Sequence, residues 1–157
     1  MESPSLVIDR LTPADLPGVW AIEQTLVGPW THGQLEDELT VGHGWQLVAK
    51  TDAGQVYGYL FGSTVLDEAE IRKLAVAADC RRHGIGQLLL TAACQRLGRQ
   101  RICRCFLELR AANTPALALY QKNGFQIVGL RKNYYTRPAE DAILLQKLLN
   151  QEQENGP

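Results

Sequence analysis

The sequence predicts a mixed α/β fold of the α+β kind, a central seven-stranded sheet with about four helices packed on both faces. Three observations carry this. Strand-like segments at 45–50, 55–66 and 69–76 follow one another as a meander. A strand–helix–strand crossover follows, running from 69 to 109. Helical spacing is confined to separate stretches between these strands. The 157 residues suit one domain, expected over 1–150, with a polar tail at 151–157.

Each element has a local reason. Leu6-Val7-Ile8 reads as a short edge strand. Thr12-Pro13-Ala14-Asp15 opens a helix: Thr12 caps, Pro13 suits the first turn and Asp15 complements the dipole. Leu16, Val19, Trp20, Glu23 and Leu26 continue at helical spacing until Gly28-Pro29-Trp30 breaks it. Thr31 and Gln34 form a capping box for a short second helix. The turn Asp52-Ala53-Gly54 joins two strands into a hairpin. Ile85, Leu88, Leu89, Ala92 and Leu97 share one face of a helix that runs to Arg99. Residues 105–109 alternate as a strand. A helix over 115–123 stops at Gly124, a left-handed C′ position. Strands at 126–130 and 143–148 complete the order, with Tyr134 and Tyr135 in the loop between them.

Composition narrows the function. Sixteen Lys and Arg against 17 Asp and Glu leave a formal charge of −1, which excludes the basic footprint of a general nucleic-acid binder. No apolar run approaches the ~18 residues of a membrane span. Met1-Glu2-Ser3-Pro4 lacks a signal peptide's basic start, so a cytoplasmic location is expected. Cys80, Cys94, Cys103 and Cys105 show no Cys-x-x-Cys spacing and no following His at a zinc interval. They are expected to be reduced, apolar and buried, with Cys103 and Cys105 on one side of a strand, and no metal is expected.

The informative stretch begins where Leu74-Ala75-Val76 ends a strand. Arg81-Arg82-His83-Gly84-Ile85-Gly86-Gln87 then turns into a helix. Unpaired amides at a helix N-terminus form an anion site, glycines let a phosphate approach, and the arginines add charge. A Walker loop is excluded because no Gly-Lys-Ser/Thr follows. A dinucleotide fingerprint is excluded because Leu89 stands where its third glycine would be.

This loop resembles the acetyl-coenzyme A motif of the GNAT superfamily of N-acetyltransferases. Downstream, Leu107-Glu108-Leu109-Arg110-Ala111-Ala112-Asn113, Ala118-Leu119-Tyr120 and Asn123-Gly124-Phe125 are similar to that family's second signature, in the same order and spacing. The resemblance implies a mostly antiparallel sheet in which the strands through Val76 and Leu109 splay around a pantetheine arm. Leu74, Ala75 and Val76 would hold the acetyl and pantetheine groups of acetyl-coenzyme A. Arg81, Arg82, His83, Gly84, Ile85, Gly86 and Gln87 would cradle its pyrophosphate. Asn113 is implied as a further cofactor contact; read from the residues alone, it caps the helix at Thr114-Pro115.

Gly28-Pro29-Trp30-Thr31, Glu68-Ala69-Glu70, Arg131-Lys132-Asn133-Tyr134-Tyr135 and Glu140-Asp141-Ala142 resemble the RimI type within that superfamily. RimI proteins acetylate the N-terminal alanine of a small-subunit ribosomal protein. The resemblance therefore implies a protein N-terminus as partner, with no nucleic acid or membrane and a monomer or weak dimer. It implies Glu108 as general base, Tyr120 as general acid, and Trp30, Tyr134 and Tyr135 as walls of the peptide groove. The residues alone leave other readings open: a salt-bridged Glu108, a core Tyr120, a core Trp30. Lys73 falls in a neighbourhood that would face substrate. An α-amine near pKa ~8 costs about 1.4 kcal/mol to deprotonate at pH 7, a lysine near ~10.4 about 4.6. One carboxylate base therefore suits an α-amine. The rivals are another amine, such as a protein lysine or a small metabolite, and a non-catalytic acyl-coenzyme A sensor.

Overall fold

The computed structural model describes residues 5–81 and 83–149. The expected tail at 151–157 and Arg82 lie outside the described residues. The strands are β1 (Leu6–Arg10), β2 (Gly44–Thr51), β3 (Val56–Val65), β4 (Glu68–Val76), β5 (Arg104–Arg110), β6 (Gln126–Tyr135) and β7 (Glu140–Leu148). The helices are α1 (Leu16–Glu23), α2 (His32–Thr40), α3 (Ile85–Arg99) and α4 (Thr114–Lys122). One sheet takes all seven strands in the order β1-β2-β3-β4-β5-β7-β6. Only β4 and β5 pair in parallel; the other neighbours are antiparallel.

Local signals set most boundaries. Asp15 closes a 3₁₀ turn ahead of α1, accepting from the Thr12 N–H at 2.9 Å, and is anchored by Lys50 at 3.0 Å. The helix expected to run past Trp20 to Leu26 ends at Glu23. At α2 the Gln34 N–H donates to the Thr31 hydroxyl at 3.1 Å, and the Thr31 N–H donates to Gln34 Oε1 at 2.7 Å. α3 keeps the expected bounds, and Gly124 adopts a φ of +90° after α4. Three expectations need correction. Tyr134 and Tyr135 belong to β6, which outruns its apolar stretch because Tyr135 still pairs with Glu140. β7 likewise starts three residues early, at Glu140. Cys103 is exposed just before β5, while Cys105 is fully buried.

Two apolar cores sandwich the sheet. On one face α3 and α4 cover Leu60, Ile71, Leu107, Leu145 and Phe125. On the other, α1 and α2 cover Val48, Tyr59, Phe61 and Ala75. Strand β4 changes allegiance between them. Phe61 pairs with Lys73 and Gly62 with Ile71, so Arg72 is an extra residue, a β-bulge. Ile71 faces the α3 core, yet Ala75, four residues on, faces the α1 core. Without a bulge, two residues four apart in a strand would share a face. The pairing of β4 with β5 also ends here, at Ile71 with Leu107, although both strands continue.

Opposite the bulge, β3 has no room for a side chain at Gly62. An added Cβ there would lie 2.2 Å from the Trp45 ring. Gly62→Ala should lower stability by about 1–3 kcal/mol through overpacking. Chemical denaturation of both proteins checks this: the midpoint should fall with an unchanged slope.

Candidate active site

Beyond the bulge, β4 and β5 leave a gap in the sheet, and residues from both strands line a cleft beside it. The cleft is about 180 Å³, bounded by Trp30, Glu70, Ile71, Arg72, Glu108, Tyr134 and Tyr135. Strand alternation explains Glu108. Cys105, Leu107 and Leu109 point into the α3 core, so Glu108 projects from the opposite face. Its carboxylate is only half-buried and lies 3.6 Å from Arg131 Nε.

Two tyrosines wall this carboxylate. Their rings meet edge to face at 5.1 Å. Hydrogen bonding to Glu108 pushes the Tyr134 phenol pKa up. Burial, then the Glu108 charge, does the same for Tyr135. Arg110 holds Tyr135 in place: its guanidinium lies 4.4 Å from the ring centroid and donates to the Pro138 carbonyl at 3.1 Å. Glu140 ties the same corner down, accepting the Ala112 N–H at 2.6 Å. On the facing side, Trp30 packs edge to face on Phe61 at 5.5 Å.

The glycine loop lies at the other end of β4. Gly84 is the N-cap of α3 in a left-handed conformation, φ +78°, and among the described residues nothing lies within 4 Å of where its Cβ would be. Among the described residues no side chain caps the helix, which leaves its first-turn amides without a side-chain acceptor. His83 and Gly84 are exposed, Gly86 and Gln87 half-buried, and Ile85 is buried in the core. Arg81 folds back and donates from Nε to the Val76 carbonyl at 3.3 Å. The Gln87 side chain is committed elsewhere: Asn123 Nδ2 donates to Gln87 Oε1 at 2.8 Å, and Gln87 Nε2 returns a bond to Asn123 Oδ1. That exchange ties the first turn of α3 to the end of α4. Leu74 and Val76 edge the α3 core, and Ala75 the other.

Tyr120 is not in the cleft with Glu108. It is buried on the α3 side of the sheet, edge to face with Phe125 at 5.4 Å. Burial, then the nearby Cys105 thiol, pushes its pKa well above the ordinary tyrosine value. Asn113 caps α4, accepting the Ala116 N–H at 3.3 Å. Among the described residues, no group of three His, Cys, Asp or Glu side chains is placed to hold a metal.

Three further residues lie next to the cleft: Glu70, which the sequence gives only within a motif, Lys73, which it places near substrate without a role, and Glu23, which it gives only as a helix-face residue. Glu70 lines it, and burial pushes its carboxyl pKa up against the pull of Arg72. Glu23 lies fully buried behind Trp30, where it accepts the Trp30 N–H and the Tyr59 hydroxyl, each at 2.7 Å. Lys73 forms an ion pair with the same carboxylate. Helical spacing already put Glu23 on the core face of α1, which was the available signal.

Comparison with known proteins agrees with this architecture. Residues 11–125 match the model of the acetyltransferase (GNAT) family. A ribosomal protein bS18-alanine N-acetyltransferase of Escherichia coli (strain K12) is 33% identical over 141 residues, covering 88% of this chain and 94% of the relative. The crystal structure of the Escherichia coli ribosomal-protein-S18-alanine N-acetyltransferase superposes with a TM-score of 0.86 at 30% identity, covering 98% and 99% of the two chains. That of Ard1 from Thermoplasma volcanium gives 0.84 at 28% identity, covering 92% and 97%.

The buried phenols make a pH prediction. Both Tyr59 and Tyr120 have pKa values raised above the ordinary 10.0. Their contribution to stability is complete below about pH 10 and is lost as the pH rises further, because the unfolded chain then gives up protons that the folded chain keeps. Denaturant midpoints should therefore fall between pH 9 and pH 11, and the absorbance change of these two phenolates should appear only with unfolding.

Proposed function

The chain belongs to the acetyltransferase (GNAT) family and is an acetyl-coenzyme A-dependent N-acetyltransferase; on that premise we propose that it acetylates the N-terminal alanine of a ribosomal protein. The observation that carries this reading is a half-buried carboxylate, Glu108, between aromatic walls at the mouth of the gap between β4 and β5.

The residues fit acetyl-coenzyme A. Past Ile71, β4 has unpaired backbone on its β5 side, suited to an extended amide-bearing arm. The uncapped first turn of α3 and the open space over Gly84 suit a pyrophosphate. Leu74, Ala75 and Val76 would hold the arm, and Gly84, Ile85, Gly86 and Gln87 would offer amides to the phosphates. His83 and Arg81 would rim that site. Asn113 caps α4 and would add a further cofactor contact. When bound, acetyl-coenzyme A supplies an acetyl group activated as a thioester.

Glu108 lines the cleft on one face of the sheet, and Tyr120 lies in the core on the other. Glu108, on the cleft face, takes the proton from the attacking amine, directly or through water. Tyr120, on the α3 face, would donate toward the leaving sulfur. Its raised pKa makes that transfer uphill even to a full thiolate, whose thiol near ~8.5 is the stronger acid, so the bound state has to lower the phenol pKa or desolvate the sulfur. A single half-exposed carboxylate is a modest base, which favours an α-amine over a lysine. Trp30, Tyr134 and Tyr135, which line the cleft, would wall the groove for the peptide end. The ribosomal-protein substrate rests on the relatives, and it puts the enzyme where ribosomal proteins are made.

The test uses acetyl-coenzyme A with two peptides, one with a free N-terminal alanine, one blocked there but carrying a lysine. Mass should rise by one acetyl on the free N-terminus alone. Glu108→Gln and Tyr120→Phe should each lower kcat by about 10²–10⁴-fold, with circular dichroism unchanged. Acetylation of the lysine peptide at an equal rate would overturn the reading.

A further inference from the structure

Behind the cleft, the sheet and α1 bury a charged pair that the chemistry above does not use. Glu23 is the last residue of α1 and has no exposed surface. Lys73 follows the bulge in β4, with 14% of its side chain exposed. Since the bulge adds a residue, Arg72 and Lys73 both reach the α1–α2 face. Arg72 pairs with Glu38 of α2, and Lys73 with Glu23 of α1.

Both partners of this pair also hold Trp30. Glu23 Oε2 accepts the Trp30 backbone N–H at 2.7 Å, fixing the chain where it leaves the α1–α2 turn. Lys73 Nζ lies 4.4 Å from the Trp30 ring centroid, within cation–π range, and Phe61 supports the same ring edge to face. The Tyr59 hydroxyl donates to Glu23 Oε1, completing the carboxylate's partners. A buried ion pair contributes little net stability compared with an apolar pair of equal volume. Holding one loop residue by both backbone and ring is a specific placement that an apolar pair would not provide.

We infer that Glu23 and Lys73 are positioning residues that fix Trp30 as the substrate-facing wall of the cleft. This rests on the proposed use of that cleft for a peptide N-terminus. Lys73 acts on the ring and Glu23 on the backbone, so peptide binding depends on them while the proton transfers at Glu108 and Tyr120 do not.

A double-mutant cycle with the full chain tests this. Lys73→Met keeps the aliphatic stem and removes the charge. It should raise KM for the alanine peptide about fivefold, the scale of one cation–π contact, with kcat and the acetyl-coenzyme A KM little changed. Trp30→Ala should raise the peptide KM at least as much, and the double variant should match Trp30→Ala alone. Additive effects, or a fall in kcat at constant KM, would overturn the inference. Should Lys73→Met fail to fold, Glu23→Gln/Lys73→Met removes both charges while leaving an amide oxygen for the Trp30 N–H, and gives the same readings. A second readout needs no substrate. In protein labelled with 5-fluorotryptophan, the fluorine resonance of Trp30, assigned with Trp30→Phe, should shift and broaden in Lys73→Met while those of Trp20 and Trp45 stay. An unmoved Trp30 resonance would overturn the inference. Failure of the wild-type protein to acetylate the peptide, with that resonance still responsive, would count against the substrate assignment instead.

Discussion

One extra residue in β4 organises the site. The bulge at Arg72 turns the strand over, so Ile71 packs with α3 and Ala75 with α1. It brings Arg72 and Lys73 to the same face, where each meets a carboxylate from a different helix. The β4–β5 ladder stops beside it, which leaves backbone groups unpaired in the middle of a sheet. Unpaired backbone in such a position is costly unless water or a ligand satisfies it. A bulge in this place therefore couples the folding of the sheet to the making of a ligand slot.

The gap also relates two chemical environments. On the α1–α2 face the groups are charged and half open: Glu70, Arg72, Glu108 and Arg131, with tyrosines around them. On the α3–α4 face they are apolar and closed, and Tyr120 lies among them. Burial raises the Tyr120 phenol pKa on the closed side, while the Glu108 carboxylate on the open side is only partly shielded from solvent.

Much of the fold was legible because its signals are local. The α2 capping box, the limits of α3 and the left-handed Gly124 each depend on residues within a few positions. Apolar alternation in β6 stops short of Arg131 to Tyr135, and pairing with β7 extends the strand regardless. Glu108, Tyr134 and Tyr135, which stand out in the sequence as motifs, line one cleft in the structure. The bulge does not stand out, because it exists only as a register between β3 and β4. The Glu23–Lys73 pair spans 50 positions of sequence, and neither its burial nor its contact with Trp30 follows from spacing. Cys103 is exposed because the strand begins one residue after it, a boundary its alternation does not mark.

Amide hydrogen exchange, followed by NMR with and without acetyl-coenzyme A, reports whether the parted strands and the start of α3 form one slot. Exchange should slow together at 72–76 and at 84–88 when acetyl-coenzyme A is added, with little change in β1, β2 and the outer turns. Protection that appears at the helix start alone, or elsewhere on the sheet, would contradict a single slot.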